Sequence, residues 1–211
     1  MIYETWNVKF DIDKLRQHLD KYVLPLESTH QSQAFGGWSV LSSTGSHKDG
    51  WHKGHMLYDK SVDPEAVRQS LEKLNIKRAS EYNVPTEICH GYLQEVMKTI
   101  SSYNLMPHRA RIIQLAAGTS SVWHVDASPE TYSVRLHIPI KTNSECFFET
   151  ETERAHLPAD GSAYFIHVNR LHRVINGGTE NRYHIVIDVR DQDGITQHHR
   201  YSDHTQAKIS S

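Results

Sequence analysis

Residues 166–188 read IHVNRLHRVINGGTENRYHIVID, and this stretch decides how the chain folds. Short runs of β-branched and aromatic residues stand on both sides of residues 176–178, whose sequence NGG is typical of a tight turn between antiparallel strands. The stretch therefore predicts a β-hairpin. A hairpin centred between the two glycines would make His172 and Arg182 near neighbours on adjacent strands.

The chain after Pro107 has the same character throughout, with short apolar runs separated by turn residues. A series of short strands at this spacing is typical of a β-sandwich or a jelly roll. We therefore expect residues 108–190 to form a mainly β core and residues 191–211 to form a polar C-terminal extension. The expected strands lie near 109–116, 120–126, 131–140, 144–150, 152–157, 162–168, 171–175 and 181–189.

The first part of the chain, residues 1–107, is expected to be a helical region that packs on this core. Apolar residues recur at helical spacing in three segments. Residues 28–61 form a long loop rich in Gly, Ser and His, and a loop of this length is functional or contains short strands. The expected helices span residues 11–22, 63–75 and 86–103.

The composition narrows the class of protein. The chain has 211 residues, of which 37% are hydrophobic, and its 23 basic side chains against 25 acidic ones do not indicate a nucleic-acid partner. It has no apolar run of membrane-spanning length and no signal-peptide pattern, so we expect a cytoplasmic protein without a membrane partner. The two cysteines, Cys89 and Cys146, are too few for a disulfide framework, whereas 16 histidines direct attention to metal binding.

Polar residues two positions apart in the expected strands share a face of the sheet. His124 and Asp126 form one such pair, and Arg135 and His137 form another. Together with His172 from the stretch quoted above, the first pair supplies two imidazoles and one carboxylate. This is the ligand set of the facial triad that holds Fe(II) in non-haem oxygenases. We therefore interpret His124, Asp126 and His172 as the candidate metal ligands and catalytic residues.

Two of these assignments leave alternatives open. His167 and His184 compete with His172 for the third ligand position, although His167 lacks an arginine ten residues later. Arg135 can serve either as a ligand for a co-substrate or as a structural ion-pair partner.

A facial triad leaves three positions of an octahedral metal open for a bidentate 2-oxo acid and dioxygen. A dicarboxylate co-substrate also needs a cation at its far end. The rigid guanidinium fork of an arginine binds a carboxylate through two hydrogen bonds, so Arg182 suits this role.

Three motifs together carry a resemblance to a known family. They are HVD at residues 124–126, RLHIPI at residues 135–140 and LHRVINGGTENR at residues 171–182. In this combination and spacing the chain resembles the aspartyl/asparaginyl β-hydroxylase family of 2-oxoglutarate-dependent oxygenases, which includes small bacterial proline hydroxylases. The resemblance covers roughly residues 109–189.

The resemblance implies a double-stranded β-helix core, the jelly-roll fold that cupins also share, and an Fe(II) site at His124, Asp126 and His172. It implies that Arg182 holds the distal carboxylate of 2-oxoglutarate and that Arg135 and His137 line the co-substrate pocket. The implied reaction hydroxylates an unactivated C–H bond of an amino acid, free or as an Asp- or Asn-type residue of a peptide. It releases succinate and CO2, with ascorbate as a candidate reductant.

A second class of function stays open, that of a non-catalytic or hydrolytic cupin-type metal-binding protein. The two arginines on the polar faces argue against it, because a zinc hydrolase has no evident use for both. The oligomeric state and the substrate-binding residues are not set by the sequence, with Trp38, Arg109 and Arg111 as candidates. The loop histidines, His47, His52 and His55, are interpreted as solvated rather than as a second metal site.

Overall fold

The computed structural model describes residues 2–30, 33–49, 79–126 and 134–191. It contains two α-helices, α1 (Ile12–His18) and α2 (Gly91–Ser102). A π-helical turn (Leu19–Val23) continues α1, and a 3-10 turn spans Ala79–Glu81. Within these described ranges, no helix has the length and apolar character needed to cross a membrane.

Thirteen strands in the described residues make up most of the structure. They are β1 (Tyr3–Lys9), β2 (Thr29–His30), β3 (Phe35–Ser39), β4 (Leu41–Ser42), β5 (Val84–Pro85), β6 (Leu105–Leu115), β7 (Thr119–Ser120), β8 (Val134–Lys141), β9 (Cys146–Thr150), β10 (Arg154–Ala155), β11 (Ser162–His167), β12 (His172–Asn176) and β13 (Arg182–Asp191).

The strands form two main antiparallel sheets. The larger has seven strands in the order β1-β11-β8-β13-β6-β3-β2, and the smaller has four in the order β10-β9-β12-β7. From β6 to β13, consecutive strands alternate between the sheets in the way that defines a double-stranded β-helix, except that both β9 and β10 belong to the smaller sheet. The expected jelly-roll core is therefore confirmed.

The hairpin predicted across residues 176–178 is wrong. β12 pairs with β7 and β9, whereas β13 pairs with β6 and β8, so the turn crosses from the smaller sheet to the larger one. Its backbone is bound by other loops: the Gly177 N–H donates to Glu145, and the carbonyl of Gly178 accepts from Gly118. His172 and Arg182 therefore lie on facing sheets and not on adjacent strands.

Two apolar clusters cover the two faces of the larger sheet. One fills the space between this sheet and the helices and contains Leu19, Val96 and Ile185; the other fills the space between the two sheets and contains Phe148 and Val174. Because side chains alternate along a strand, each strand of the larger sheet sends every second residue into the interior of the β-helix. That interior holds the candidate site.

The helical expectations are met at both ends of the N-terminal region. Asp11 caps α1 by accepting hydrogen bonds from two backbone N–H groups, as its position before the helix predicts. α2 begins at Gly91, five residues later than expected, because the side chain of Thr86 is bound to the carbonyls of Ser39 and Val40. The helix expected at residues 63–75 lies outside the described residues.

β1 and β5 were not predicted, whereas β2, β3 and β4 are short strands within residues 28–61, one of the two alternatives that the sequence left open for that loop. β1 pairs with β11, and β3 pairs with β6, so residues expected to pack on the core are partly built into its larger sheet. β6 begins at Leu105 and runs through the expected boundary at residue 107. The division of the chain into domains stays a prediction, and residues 192–211 of the expected extension lie outside the described part.

Candidate active site

A backbone bridge brings the two candidate ligand histidines side by side. The N–H of His124 donates to the carbonyl of His172 at 2.9 Å, and the N–H of His172 donates back to His124 at 2.9 Å. The backbone N–H of Asp126 donates to the carbonyl of Val168 at 3.0 Å, which holds the third residue beside them. The positions of the three side chains are thus set by main-chain hydrogen bonds.

The three side chains point at one place. The Nε2 atoms of His124 and His172 lie 3.7 and 3.6 Å from Oδ2 of Asp126. One ligand atom from each residue lies within 4.8 Å of the others. The described residues therefore contain a group of donors spaced to hold one metal ion.

The hydrogen bonds behind each imidazole fit metal binding. Nδ1–H of His124 donates to the carbonyl of Val122 at 2.8 Å, and Nδ1–H of His172 donates to the carbonyl of Arg170 at 2.7 Å. Each bond fixes the tautomer that leaves Nε2 unprotonated and able to bind a metal. The donor set and its orientation therefore fit an ion such as Fe(II).

The carboxylate of Asp126 is ionised in spite of its burial. Burial alone raises the pKa of this group, but the charge of Arg135 and, after it, the two neighbouring histidines outweigh that effect and hold the pKa well below its usual range. The candidate site thus presents one negative oxygen to a cation.

Arg135 joins this carboxylate to another one. Its Nη1 donates to Oδ2 of Asp126, and its Nε donates to Oδ1 of Asp188 at 2.8 Å. Arg109 holds the other oxygen of Asp188, with Nε at 2.8 Å and Nη2 at 2.7 Å. In this structure Arg135 is therefore an ion-pair partner, the alternative that the sequence left open.

Arg182 has a different environment. Its side chain is buried, and its Nε and Nη2 lie 3.0 and 2.8 Å from the two ring nitrogens of His184. Among the described residues no carboxylate forms an ion pair with it. Burial lowers the pKa of Arg182 to about 10, so the group is still a cation at neutral pH.

A row of rings connects Arg182 to the candidate metal ligands. The rings of His184 and His137 have centroids 6.0 Å apart, His137 lies 6.4 Å from Phe148, and Phe148 stacks on His172 at 4.8 Å. Burial, followed by the charges of Arg182 and Arg135, holds the pKa of His137 well below its usual value. The imidazole of His137 is thus neutral, and its Nδ1 has no hydrogen-bond partner among the described residues.

The structure separates the competing histidines from the candidate metal ligands. His167 lies 3.5 Å from Glu4 on the neighbouring β1, and His184 contacts Arg182. His47, interpreted as solvated, is buried and binds Glu87 and the carbonyl of Glu27; its place between these segments explains the difference. The other two loop histidines, His52 and His55, lie outside the described residues.

The three candidates for substrate contact fall into two groups. Trp38 is a core residue, since its indole packs in the apolar cluster beneath the helices and its N–H donates to Leu26. Arg109 and Arg111 are buried in the interior of the β-helix, where burial, together with the charges of Arg109 and Arg135, lowers the pKa of Arg111 to about 9.

Asp188 was not among the site residues predicted from the sequence. The residue continues the polar alternation of Arg182 and His184 along β13, and its register partner on β8 is Arg135. Asp188 lies two positions beyond Val186 in this alternation, and that spacing is the sequence pattern that indicates its place on the same face.

Comparison with known protein families identifies one family that matches this chain. A family model described as Aspartyl/Asparaginyl beta-hydroxylase matches residues 85–192. This segment contains every candidate ligand as well as Arg135, His137 and Arg182. A search of curated proteins found no significant match.

Solved structures with a similar backbone include three oxygenases. A 2OG-Fe(II) oxygenase family oxidoreductase from Burkholderia pseudomallei is 11% identical, covers 88% of this chain and 80% of its own, and has a TM-score of 0.46. A prolyl hydroxylase from Trichoplax adhaerens, solved with a hypoxia inducible factor peptide, is 13% identical over 91% and 84% of the two chains, with a TM-score of 0.46. A Pseudomonas putida prolyl-4-hydroxylase is 10% identical over 90% and 92%, also with a TM-score of 0.46.

Proposed function

This chain belongs to the aspartyl/asparaginyl beta-hydroxylase family of 2-oxoglutarate-dependent oxygenases, and we propose that it hydroxylates an unactivated C–H bond of an amino acid, either free or as an Asp- or Asn-type residue of a peptide. The products are the hydroxylated amino acid, succinate and CO2. One observation carries the proposal: a His-Asp-His donor group and a buried guanidinium without a carboxylate partner among the described residues lie in the same interior.

We assign the metal to His124, Asp126 and His172. Their two Nε2 atoms and one carboxylate oxygen would supply three ligands to the ion, and its remaining positions would be open to co-substrate and oxygen. Bound Fe(II), together with 2-oxoglutarate and dioxygen, supplies the oxidising power for C–H hydroxylation. The histidines and the carboxylate fix where that chemistry occurs.

We assign the distal carboxylate of 2-oxoglutarate to Arg182. A buried cation is costly unless an anion accompanies it, and a carboxylate entering this pocket would supply that anion together with hydrogen-bond acceptors. His137 lies between Arg182 and the metal ligands, and its unpartnered Nδ1 faces the same interior as a neutral hydrogen-bonding group. Arg135, expected in the same pocket, lies at the metal end.

The charge of the interior supports an amino-acid substrate. Three arginines, Arg109, Arg111 and Arg135, lie beside only two carboxylates, Asp126 and Asp188, so the formal charge of these five groups is one positive charge in excess. A positive potential favours a substrate that carries a carboxylate. No acid–base dyad is needed for the reaction, because the bound cofactors perform the bond cleavage.

The test is succinate release from 2-oxoglutarate by protein loaded with Fe(II) under anaerobic conditions and then given oxygen and ascorbate. We expect slow turnover alone and faster turnover with one pool of free amino acids or of peptides containing Asp and Asn. His172→Ala should abolish both, because it removes a metal ligand. His167→Ala is the matched control and should behave as the wild type, since His167 pairs with Glu4 away from the metal ligands.

Two results would contradict the proposal. Turnover that persists in His172→Ala would show that iron is bound elsewhere. Tight zinc binding without any binding of 2-oxoglutarate would favour a cupin-type metal-binding protein instead.

A further inference from the structure

We propose that Asp188 is a positioning residue of the metal centre: through Arg135 it holds the carboxylate of Asp126 in the orientation that the metal requires. This inference rests on the proposed function. Asp188 thereby gains a role in the site, and Arg135 links the two carboxylates.

The contacts form a continuous chain of charge-assisted hydrogen bonds. Oδ2 of Asp126 is the oxygen nearest the Nε2 atoms of both candidate ligand histidines, and the same oxygen accepts from Nη1 of Arg135. Nε of Arg135 donates to Asp188 at 2.8 Å. Because a guanidinium is planar and rigid, fixing its Nε on Asp188 also fixes the direction of the Nη1–H bond.

The position of Asp188 is itself strongly constrained. It is 1% exposed, and each carboxylate oxygen accepts from a different arginine, Oδ1 from Arg135 and Oδ2 from Arg109. Burial alone raises the pKa of Asp188, but the charges of Arg109, Arg135 and Arg111 reverse the effect and lower it far below its usual range. Asp188 is therefore a fixed negative charge on which the orientation of Arg135 depends.

The backbone is distorted where Arg109 meets Asp188. Arg109 has a φ of +40°, a conformation that residues other than glycine rarely adopt. The register of β13 against β6 also shifts between Val186 and Asp188. Strained residues and β-bulges are concentrated at functional sites, where they redirect side chains. This distortion places the Arg109 guanidinium on the oxygen of Asp188 that Arg135 does not use.

The experiment measures metal binding rather than turnover, with Co(II) as a redox-stable probe on the metal-free full chain. Asp188→Asn keeps the shape of the side chain and removes its charge. We expect the variant to fold, to bind Co(II) ten- to a hundred-fold more weakly, as is typical when a partner behind a ligand is lost, and to show a changed Co(II) visible absorption spectrum. Asp160→Asn is the matched control, because Asp160 pairs with Lys9 on the surface; it should match the wild type in both measurements.

Two further variants keep the proposal testable. Arg135→Lys retains the charge but cannot bridge two carboxylates with a rigid fork, so we expect the same loss even where Asp188→Asn fails to fold. In an Asp126→Ala background, Asp188→Asn should weaken Co(II) binding no further, because its effect passes through Asp126. An additive loss in that background would overturn the proposal.

Failure of this inference can be distinguished from failure of the proposed function. If wild-type Co(II) binding depends on His172 but Asp188→Asn has wild-type affinity and spectrum, only the role of Asp188 is overturned. If the wild type binds no Co(II), or His172→Ala binds it equally well, the assigned metal centre is wrong and the inference is overturned with it.

Discussion

Two buried arginines of the candidate site, Arg135 and Arg182, have opposite effects on the stability of the fold. The guanidinium of Arg135 is neutralised by Asp126 and Asp188, so it is part of a complete ion-pair network. Arg182 is buried against His184, and the described residues offer it no carboxylate. Because an unpaired buried charge opposes folding, Arg182 is a residue kept for binding at the expense of stability.

A pair of substitutions tests this contrast. Arg182→Met should leave the unfolding free energy of the metal-free protein unchanged or slightly higher, and should weaken 2-oxoglutarate binding at least about tenfold, because a charge-assisted hydrogen bond is worth about 1.5–3 kcal/mol. Arg135→Met should destabilise the fold by about 3–5 kcal/mol, since it leaves the buried carboxylate of Asp126 without its cation and Asp188 with Arg109 alone. Urea denaturation and calorimetric titration of the Co(II)-loaded protein measure the two quantities. Unchanged co-substrate affinity in Arg182→Met would place the carboxylate site elsewhere.

At the scale of elements, one side chain holds together the crossing between the two sheets. Asn176 is fully buried at the end of β12 and uses both ends of its amide. Its Nδ2 lies within 3.2 Å of three carbonyls and its Oδ1 within 3.2 Å of three donors. The carbonyls belong to Leu115, Ala116 and Glu180, and the donors are Nδ2 of Asn143, Sγ of Cys146 and the N–H of Gly178.

Replacing this amide should cost far more than replacing its neighbour on the same connection. Asn176→Ala leaves several buried polar groups without a partner, and we expect a loss of at least about 3 kcal/mol in unfolding free energy. Asn181→Ala removes one exposed hydrogen bond, to the N–H of Ala117 at 3.1 Å, and should cost about 1 kcal/mol or less. If chemical denaturation gave the same loss of unfolding free energy for both variants, the amide of Asn176 would not be what stabilises the crossing between the sheets.

At the scale of the whole molecule, the polar interior makes stability depend on pH. Burial and the charge of Arg182 hold the pKa of His184 well below its usual value, with smaller effects from His137 and His156. The unfolded chain therefore binds a proton at His184 below about pH 6.5, whereas the folded chain does not. The stabilising contribution of the neutral imidazole is complete above that pH and is lost as the pH falls.

The metal-free protein should accordingly lose stability between about pH 6.5 and pH 5. One such histidine contributes a slope of up to about 1.4 kcal/mol per pH unit. The pKa of His124 is raised because the adjacent carboxylate of Asp126 outweighs burial, so His124 has the opposite effect on stability. The test therefore compares variants with the wild type. His184→Gln should have the smaller slope in urea denaturation at a series of pH values; equal slopes would contradict the assignment.

The sequence predicts the chemistry of this site better than its architecture. Period-two alternation is a local property, so Arg135 and His137 could be paired on β8 from the sequence, and the apolar side of that strand is buried as expected. His124 and Asp126 do converge, but the strand expected at residues 120–126 ends at Ser120, and backbone hydrogen bonds to His172 and Val168 place the pair instead. The glycine turn at residues 176–178 could be located as well. Which sheet each flanking strand joins depends on partners far away in the sequence, and no local pattern specifies them.

Asp188 also shows that the role of a residue can depend on distant partners that a local sequence pattern does not specify. Its place in the alternation of β13 is readable, but its role depends on Arg109, which reaches it because of a bulge in β6. β1 was hidden for a related reason: of its seven residues only Trp6 and Val8 are buried, and its identity as a strand comes from its pairing with β11.

The pairing of β1 with β11 determines when β1 can join the larger sheet during folding. Thr5 is the register partner of Tyr164, so β1, once synthesised, must wait for a partner that is made about 160 residues later. Contacts between such distant segments slow folding, because a large loop must close before any of its interactions is gained. Until β11 has been synthesised, β1 is an unpaired strand whose backbone is open to other chains.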